Sequence, residues 1–126
     1  MKFLEPQLVL ELHHDNIEEF GGAHGIRDEG AFESALYAAE YRAEYAKCDL
    51  IECAATYGFH LCQAHAFVDG NKRVGAGAAV VFLRLNGFRL TCSREELAEV
   101  FLSIAAGQTS REQLEDYLRQ HAIRAA

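Results

Sequence analysis

Between His65 and Arg73 the chain places an imidazole, a carboxylate, a carboxamide and two cations within nine positions, His65-Ala66-Phe67-Val68-Asp69-Gly70-Asn71-Lys72-Arg73. The flanks are apolar. Ala54 to Cys62 reads as a buried helix, and Val74 to Leu83 runs without a charge or a hydrogen-bonding side chain. Polar groups set between two core segments are costly to bury without partners. A phosphate-bearing ligand with a metal ion would supply those partners.

Each residue has a chemical use in such a site. If Asn71 or a neighbour opens a helix, the first-turn N–H groups lack acceptors and, with the helix dipole, attract an anion. Gly70 lets backbone approach a ligand with no Cβ in the way. Lys72 and Arg73 add cationic donors, and Arg73 can fork onto a phosphate. Asp69 puts a carboxylate where anions gather, which a bridging Mg²⁺ explains most simply. His65 can take a proton near neutral pH. Together these groups suit phosphoryl or nucleotidyl transfer to a hydroxyl.

Taken singly, each residue also has an ordinary structural account. A histidine at a helix end is a favourable C-cap, Asp-Gly-Asn is a turn with a helix cap, and Lys-Arg in a first turn is solvated. Taken jointly, that account leaves two cations at the helix end whose dipole repels them. Phe67 reads as a core anchor for the loop rather than a ligand contact.

The elements that must hold this stretch read as helices. Pro6 suits a first helical turn. Leu8, Val9, Leu12, Ile17 and Phe20 follow at roughly helical spacing, and Gly21-Gly22 stops that helix. Asp28 caps a second helix, with Phe32, Ala35, Leu36 and Ala39 on its apolar face. Residues 41–47 alternate polar and aromatic and fit helix or loop. Asp49 caps a third helix, apolar on most sides, which leaves His65 at its end or just beyond. Asn71 to Leu85 is too long for a strand and predicts a central helix, stopped at Asn86-Gly87. Gly75 and Gly77 cost about 1 kcal/mol each against Ala there, so close backbone packing is expected at both. Phe88 to Cys92 predicts a short extended connector. Ser93-Arg94-Glu95-Glu96 and Ser110-Arg111-Glu112-Gln113 are capping boxes for two further helices, the first closed by Gly107. Residues 122–126 are expected to fray. The expected architecture is all-α, a compact single-domain bundle of about six helices over residues 1–126 with a buried central helix.

The chain of 126 residues is half hydrophobic, enough for a real core, and carries a net charge of −7. That charge excludes a general nucleic-acid binder, which needs a basic face. No apolar run approaches a membrane span, and Met1 to Val9 has no signal layout, so the expected compartment is the cytoplasm. Cys48, Cys53, Cys62 and Cys92 form no zinc pattern and read as core thiols. His13, His14, His24 and His60 show no ligand spacing and are assigned surface or core roles.

His-x-Phe-x-Asp-Gly-Asn-Lys-Arg resembles the signature of the Fic/Doc family, in its Doc (death-on-curing) branch. The match fixes seven of the nine positions. Phe20-Gly21-Gly22, Gly25-Ile26-Arg27-Asp28 and Phe82-Leu83-Arg84-Leu85-Asn86-Gly87 also resemble Doc-branch segments. The resemblance implies a Fic/Doc-like fold and a role for each residue. His65 would be the catalytic base and Asp69 the Mg²⁺ ligand. Gly70, Asn71, Lys72 and Arg73 would hold the phosphates of ATP, with Phe67 structural.

Two departures bear on the activity. AMP-transferring Fic members resemble His-x-Phe-x-Asp/Glu-Gly-Asn-Gly-Arg-x-x-Arg. Here Lys72 stands at the second glycine and Ala76 at the final arginine, which crowds one phosphate path and removes one phosphate contact. The Doc branch implies a reversed nucleotide and transfer of the γ-phosphate. The expectation is therefore an ATP-dependent protein serine/threonine kinase whose target, by resemblance, is elongation factor Tu, so that translation stops. The branch also implies a toxin held in check by a small, Phd-like antitoxin that folds into a groove by the active site. No self-inhibitory Ser/Thr-x-x-x-Glu-Gly/Asn helix is legible, so inhibition in trans is expected. The alternatives are AMP transfer, a catalytically silent Fic-like domain that binds a protein partner, and a metal-dependent phosphohydrolase. The last has only one carboxylate in the cluster to support it.

Overall fold

A computed structural model of the chain describes residues 1–125. Its helices are α1 (Pro6–Phe20), α2 (Glu29–Tyr45), α3 (Leu50–Gln63), α4 (Asn71–Leu85), α5 (Arg94–Ala105) and α6 (Arg111–His121). Two short strands complete it, β1 (Phe88–Leu90) and β2 (Ala122–Arg124).

The caps read from sequence form as expected. Asp28 accepts from the Ala31 amide at 3.0 Å and Asp49 from the Glu52 amide at 2.9 Å. Ser93 with Glu96, and Ser110 with Gln113, make reciprocal capping boxes. Each such cap stabilises its helix by about 1 kcal/mol. The stretch 41–47 resolves as helix up to Tyr45.

Helices α3 and α4 pack backbone to backbone at the centre. A Cβ on Gly75 would stand 2.8 Å from the Gly58 carbonyl oxygen, and one on Gly58 would stand 2.9 Å from the Phe101 ring. These glycines let α4 sit against α3, with Phe101 of α5 closing over both. Val74, Ala78, Ala79, Phe82 and Leu83 of α4 are fully buried there. Each large side chain so buried contributes about 1.5–3 kcal/mol. Gly77 departs from expectation, since a Cβ there would meet only the Asn16 amide nitrogen, at 4.0 Å. It faces α1 across space that a methyl group could enter.

The tail is a second correction. Residues 122–124 do not fray but pair antiparallel with β1, Phe88 opposite Arg124 and Leu90 opposite Ala122. The connector after α4 would otherwise expose unpaired N–H and C=O groups. The Thr91 amide reaches the His121 carbonyl at 2.8 Å and the Ala125 amide the Gly87 carbonyl at 2.9 Å, extending the pairing at both ends. Ala126 lies outside the described residues. Cys48, Cys53 and Cys62 are buried and Cys92 half-buried, as core thiols. No helix among the described residues is long and apolar enough to cross a membrane.

Candidate active site

The stretch from His65 to Arg73 bridges the two central helices. The last α3 residues pass through Ala64, whose amide still bonds the His60 carbonyl at 2.9 Å. His65 then takes a left-handed conformation, φ +50°, which ends the helix. For a non-glycine residue this costs about 1–2 kcal/mol, and the imidazole is left exposed.

The chain next dives into the core. Ala66 and Phe67 are buried. The Ala66 carbonyl accepts from the amides of Arg27 and Asp28, and the Val68 amide donates to the Gly25 carbonyl. Ile26 and Phe67 form an isolated antiparallel bridge. The α1–α2 loop is thereby sewn along the site. Phe67 packs edge-on against Phe32 and lies flat on the His13 ring, 3.8 Å between centroids. It is the anchor expected.

Two contacts set Asp69. Its carbonyl lies 2.7 Å from His13 Nε2, and its carboxylate Oδ2 accepts from the Ala23 amide at 2.7 Å. Gly70, with φ +81°, then turns the chain into α4. A side chain at Gly70 would also stand 3.2 Å from Ile17 and 3.6 Å from His13, so only glycine fits.

The start of α4 has no side-chain cap and no acid in its first turn. The first helical bond runs from the Val74 amide to the Gly70 carbonyl, so the amides of Asn71, Lys72 and Arg73 precede the ladder. The Asn71 side chain is committed to the loop. Its Oδ1 accepts from the Phe67 amide and its Nδ2 donates to the Phe67 carbonyl, both at 3.1 Å. Lys72 and Arg73 are exposed. The Arg73 guanidinium rests 5.0 Å from the centre of the Phe20 ring. Such a contact at an exposed position is worth about 0.5–1 kcal/mol, less than the bidentate contact a phosphate would offer.

These residues surround a cavity of about 520 Å³, within the span of ligand pockets, about 300–1,000 Å³. His65, Asp69, Gly70, Asn71, Lys72 and Arg73 all line it. The structure thus brings every candidate site residue to one place. The charged groups stand exposed, while Ala66 and Phe67 beneath them are buried. Cys62 lines the cavity too, but burial pushes its thiol up to about 11, against a smaller opposing pull from Lys72. That shift disfavours the thiolate a nucleophile needs.

Sequence reasoning missed His13 and Ala23 as supports of Asp69. His13 carried a signal, because it falls on the Val9–Ile17 stripe that faces the core. A polar residue on such a stripe needs a buried partner. Ala23 acts through its backbone and carried none.

Fold and site together define the class, and the chain belongs to the Fic/Doc family. The family model described as "Fic/DOC family" matches residues 3–83. Among curated relatives, "Protein kinase doc" of Escherichia phage P1 is 35% identical over 121 residues, covering 95% of this chain and 95% of the relative.

Proposed function

We propose that residues 1–126 form a single Doc-type domain, a protein kinase that moves the γ-phosphate of ATP to a serine or threonine hydroxyl of a translation factor. One observation carries the reading. The start of α4 lacks a cap and an acid, bears two cations, and opens on a cavity shared with His65 and Asp69. Likeness to a relative named as a protein kinase supports the same reading. Lys72, at the position where AMP-transferring members carry glycine, favours γ- over α-phosphate transfer.

The residues have these roles. His65 takes the proton of the target hydroxyl as its oxygen attacks the γ-phosphorus, and the bond from γ-phosphorus to the bridging oxygen breaks to release ADP. The first-turn amides of α4, with Gly70 making room, cradle the phosphates. Lys72 and Arg73 neutralise them, Arg73 leaving the Phe20 ring to do so. The Asn71 side chain keeps the loop closed, so its phosphate contact is made through its backbone amide. A lone carboxylate beside this anion cradle fits a hard divalent cation. Asp69 would hold Mg²⁺ through the oxygen not taken by Ala23, and the ion would offset phosphate charge. His13 and Ala23 orient Asp69.

The same reading makes the chain the toxin of a toxin–antitoxin pair, with elongation factor Tu as target and a small Phd-like antitoxin as inhibitor in the cytoplasm. Incubation with elongation factor Tu and γ-labelled ATP should label the target, and His65→Ala should abolish the label. Label from α-labelled ATP instead would establish AMP transfer. A biological effect that survives Asp69→Ala would establish a silent binding domain.

A further inference from the structure

On the outer face of α1 three side chains converge that the phosphate site does not use. His14 and Glu18 stand one turn apart on the helix, so they share a face. His24 comes from the following loop, where Gly21, Gly22 and Gly25 all have positive φ, at 88°, 116° and 115°. Those turns fold His24 back against the helix. Glu18 Oε1 lies 3.6 Å from His14 Nε2 and 3.3 Å from His24 Nε2. The three donor atoms all lie within 4.8 Å of one another, and the two rings are 4.7 Å apart.

We propose that His14, Glu18 and His24 form a binding site for a borderline divalent cation of the zinc class, distinct from the phosphate site. Ligands held at about 2.0–2.1 Å in a tetrahedron stand roughly 3.4 Å apart, which both contacts to Glu18 approach. All three side chains are exposed, so small rotations of their ends complete the set without moving backbone. Two imidazoles and one carboxylate suit zinc, cobalt, nickel or copper, whereas magnesium and calcium prefer oxygen alone. Exposed Asp15 and Glu19 flank the ligands on α1 and, with the chain's net charge of −7, draw cations to this face. The fourth position is open to water.

The site has a mechanical consequence. Ala23, next to His24, holds the Asp69 carboxylate through its amide at 2.7 Å. A cation bridging α1 to His24 therefore clamps the segment that orients Asp69.

Calorimetric titration of the untagged full chain with zinc chloride, near pH 7.5, should show one saturable equivalent. His14→Ala and His24→Gln should each weaken it at least about tenfold. Cys92→Ser, which removes a half-exposed thiol elsewhere, should leave it unchanged. Zinc should also slow exchange of the Ala23 amide in the wild type, read by NMR, but not in His24→Gln. An isotherm unaffected by both histidine variants, or no saturation below millimolar zinc, overturns the site. Binding with unchanged Ala23 exchange overturns the clamp. Neither readout uses ATP or activity, so failure of the kinase reading leaves this proposal standing or falling by itself.

Discussion

Helices α5 and α6 start on Ser93 and Ser110, each closed by a reciprocal capping box. Helix α4 starts on left-handed Gly70, with no side-chain cap and with Lys72 and Arg73 in its first turn. The same backbone problem, amides without acceptors, receives opposite answers. In α5 and α6 the chain's own side chains meet those amides, and acids sit at the positive end of the dipole. In α4 the amides are held out beside a cavity and the charges carry the unfavourable sign. The difference teaches where stability has been set aside. A helix start that is worse than its neighbours by local rules, yet held from below by Phe67, Asn71 and His13, is what the proposed phosphate site would require.

The widest separation of function from stability is expected at His65 and Asp69. His65→Ala and Asp69→Asn should each reduce phosphate transfer by about 10²–10⁴-fold, measured as γ-label on the target. Asp69→Asn keeps an acceptor for the Ala23 amide, so its urea midpoint should barely move. His65→Gly should be as inactive as His65→Ala yet more stable by about 1 kcal/mol, because glycine alone accepts the left-handed φ at that position without strain. Equal stability of the two would remove the evidence that the imidazole is held there at a cost.

A second pair breaks the comparison within α4 itself. Gly75→Ala drives a methyl group to 2.8 Å from the Gly58 carbonyl and should destabilise by about 1–3 kcal/mol. Gly77→Ala meets only the Asn16 amide nitrogen, at 4.0 Å, and should stabilise by about 0.5–1 kcal/mol. Chemical denaturation of the two variants checks both signs.

What the sequence made legible divides along the same line. Asp28, Asp49, Ser93 and Ser110 were readable as caps because a cap and its amide lie three residues apart. The length of Asn71–Leu85 decided helix over strand. The nine-residue cluster marked the candidate site because its composition conflicts with its setting, and its polar residues line one cavity. What stayed hidden acts across the chain. His13 meets Asp69 over 56 positions and Ala23 over 46; the core stripe of α1 marks His13 as needing a partner but does not name it, and nothing local marks Ala23. Gly75 and Gly77 are indistinguishable by propensity, and only the position of α3 tells them apart. The three-residue pairing of β2 with β1 is too short for any periodicity to register.

The ordinary helix starts should respond in stability alone. Ser93→Ala and Asp49→Ala should each cost about 1 kcal/mol and leave label transfer intact. Asp49 adds a pH signature. Its bonds to the Arg119 guanidinium, at 2.7 and 3.2 Å, are the largest cause that holds its carboxyl below the usual carboxylate range. A carboxyl depressed in the folded state stabilises above its unfolded pKa and loses that contribution as pH falls through the folded value. The wild type's advantage over Asp49→Asn should therefore persist at neutral pH and fade as the pH falls below the ordinary aspartate range. An advantage unchanged in acid would mean that the charge of Asp49 contributes nothing to stability.

The smallest effect is the sharpest test of the contrast between helix starts. Lys72 lies in the first turn of α4, where a cation opposes the dipole by about 0.3–1 kcal/mol and an acid gains a similar amount. Lys72→Glu puts an acid at the second position of α4, where α5 carries Glu95. It should raise stability by about 0.5–1 kcal/mol, read as a higher urea midpoint at low salt, and lose that gain as salt screens the dipole. The same change sets a carboxylate beside the phosphate cradle, so binding of a non-hydrolysable ATP analogue, followed by calorimetry, should weaken. Greater stability with weaker nucleotide binding is the signature of a helix start kept poor for the sake of its ligand. Greater stability with unchanged binding would instead leave Lys72 as a solvated side chain, and the case for a phosphate site would then rest on the bare amides of α4 and on Arg73.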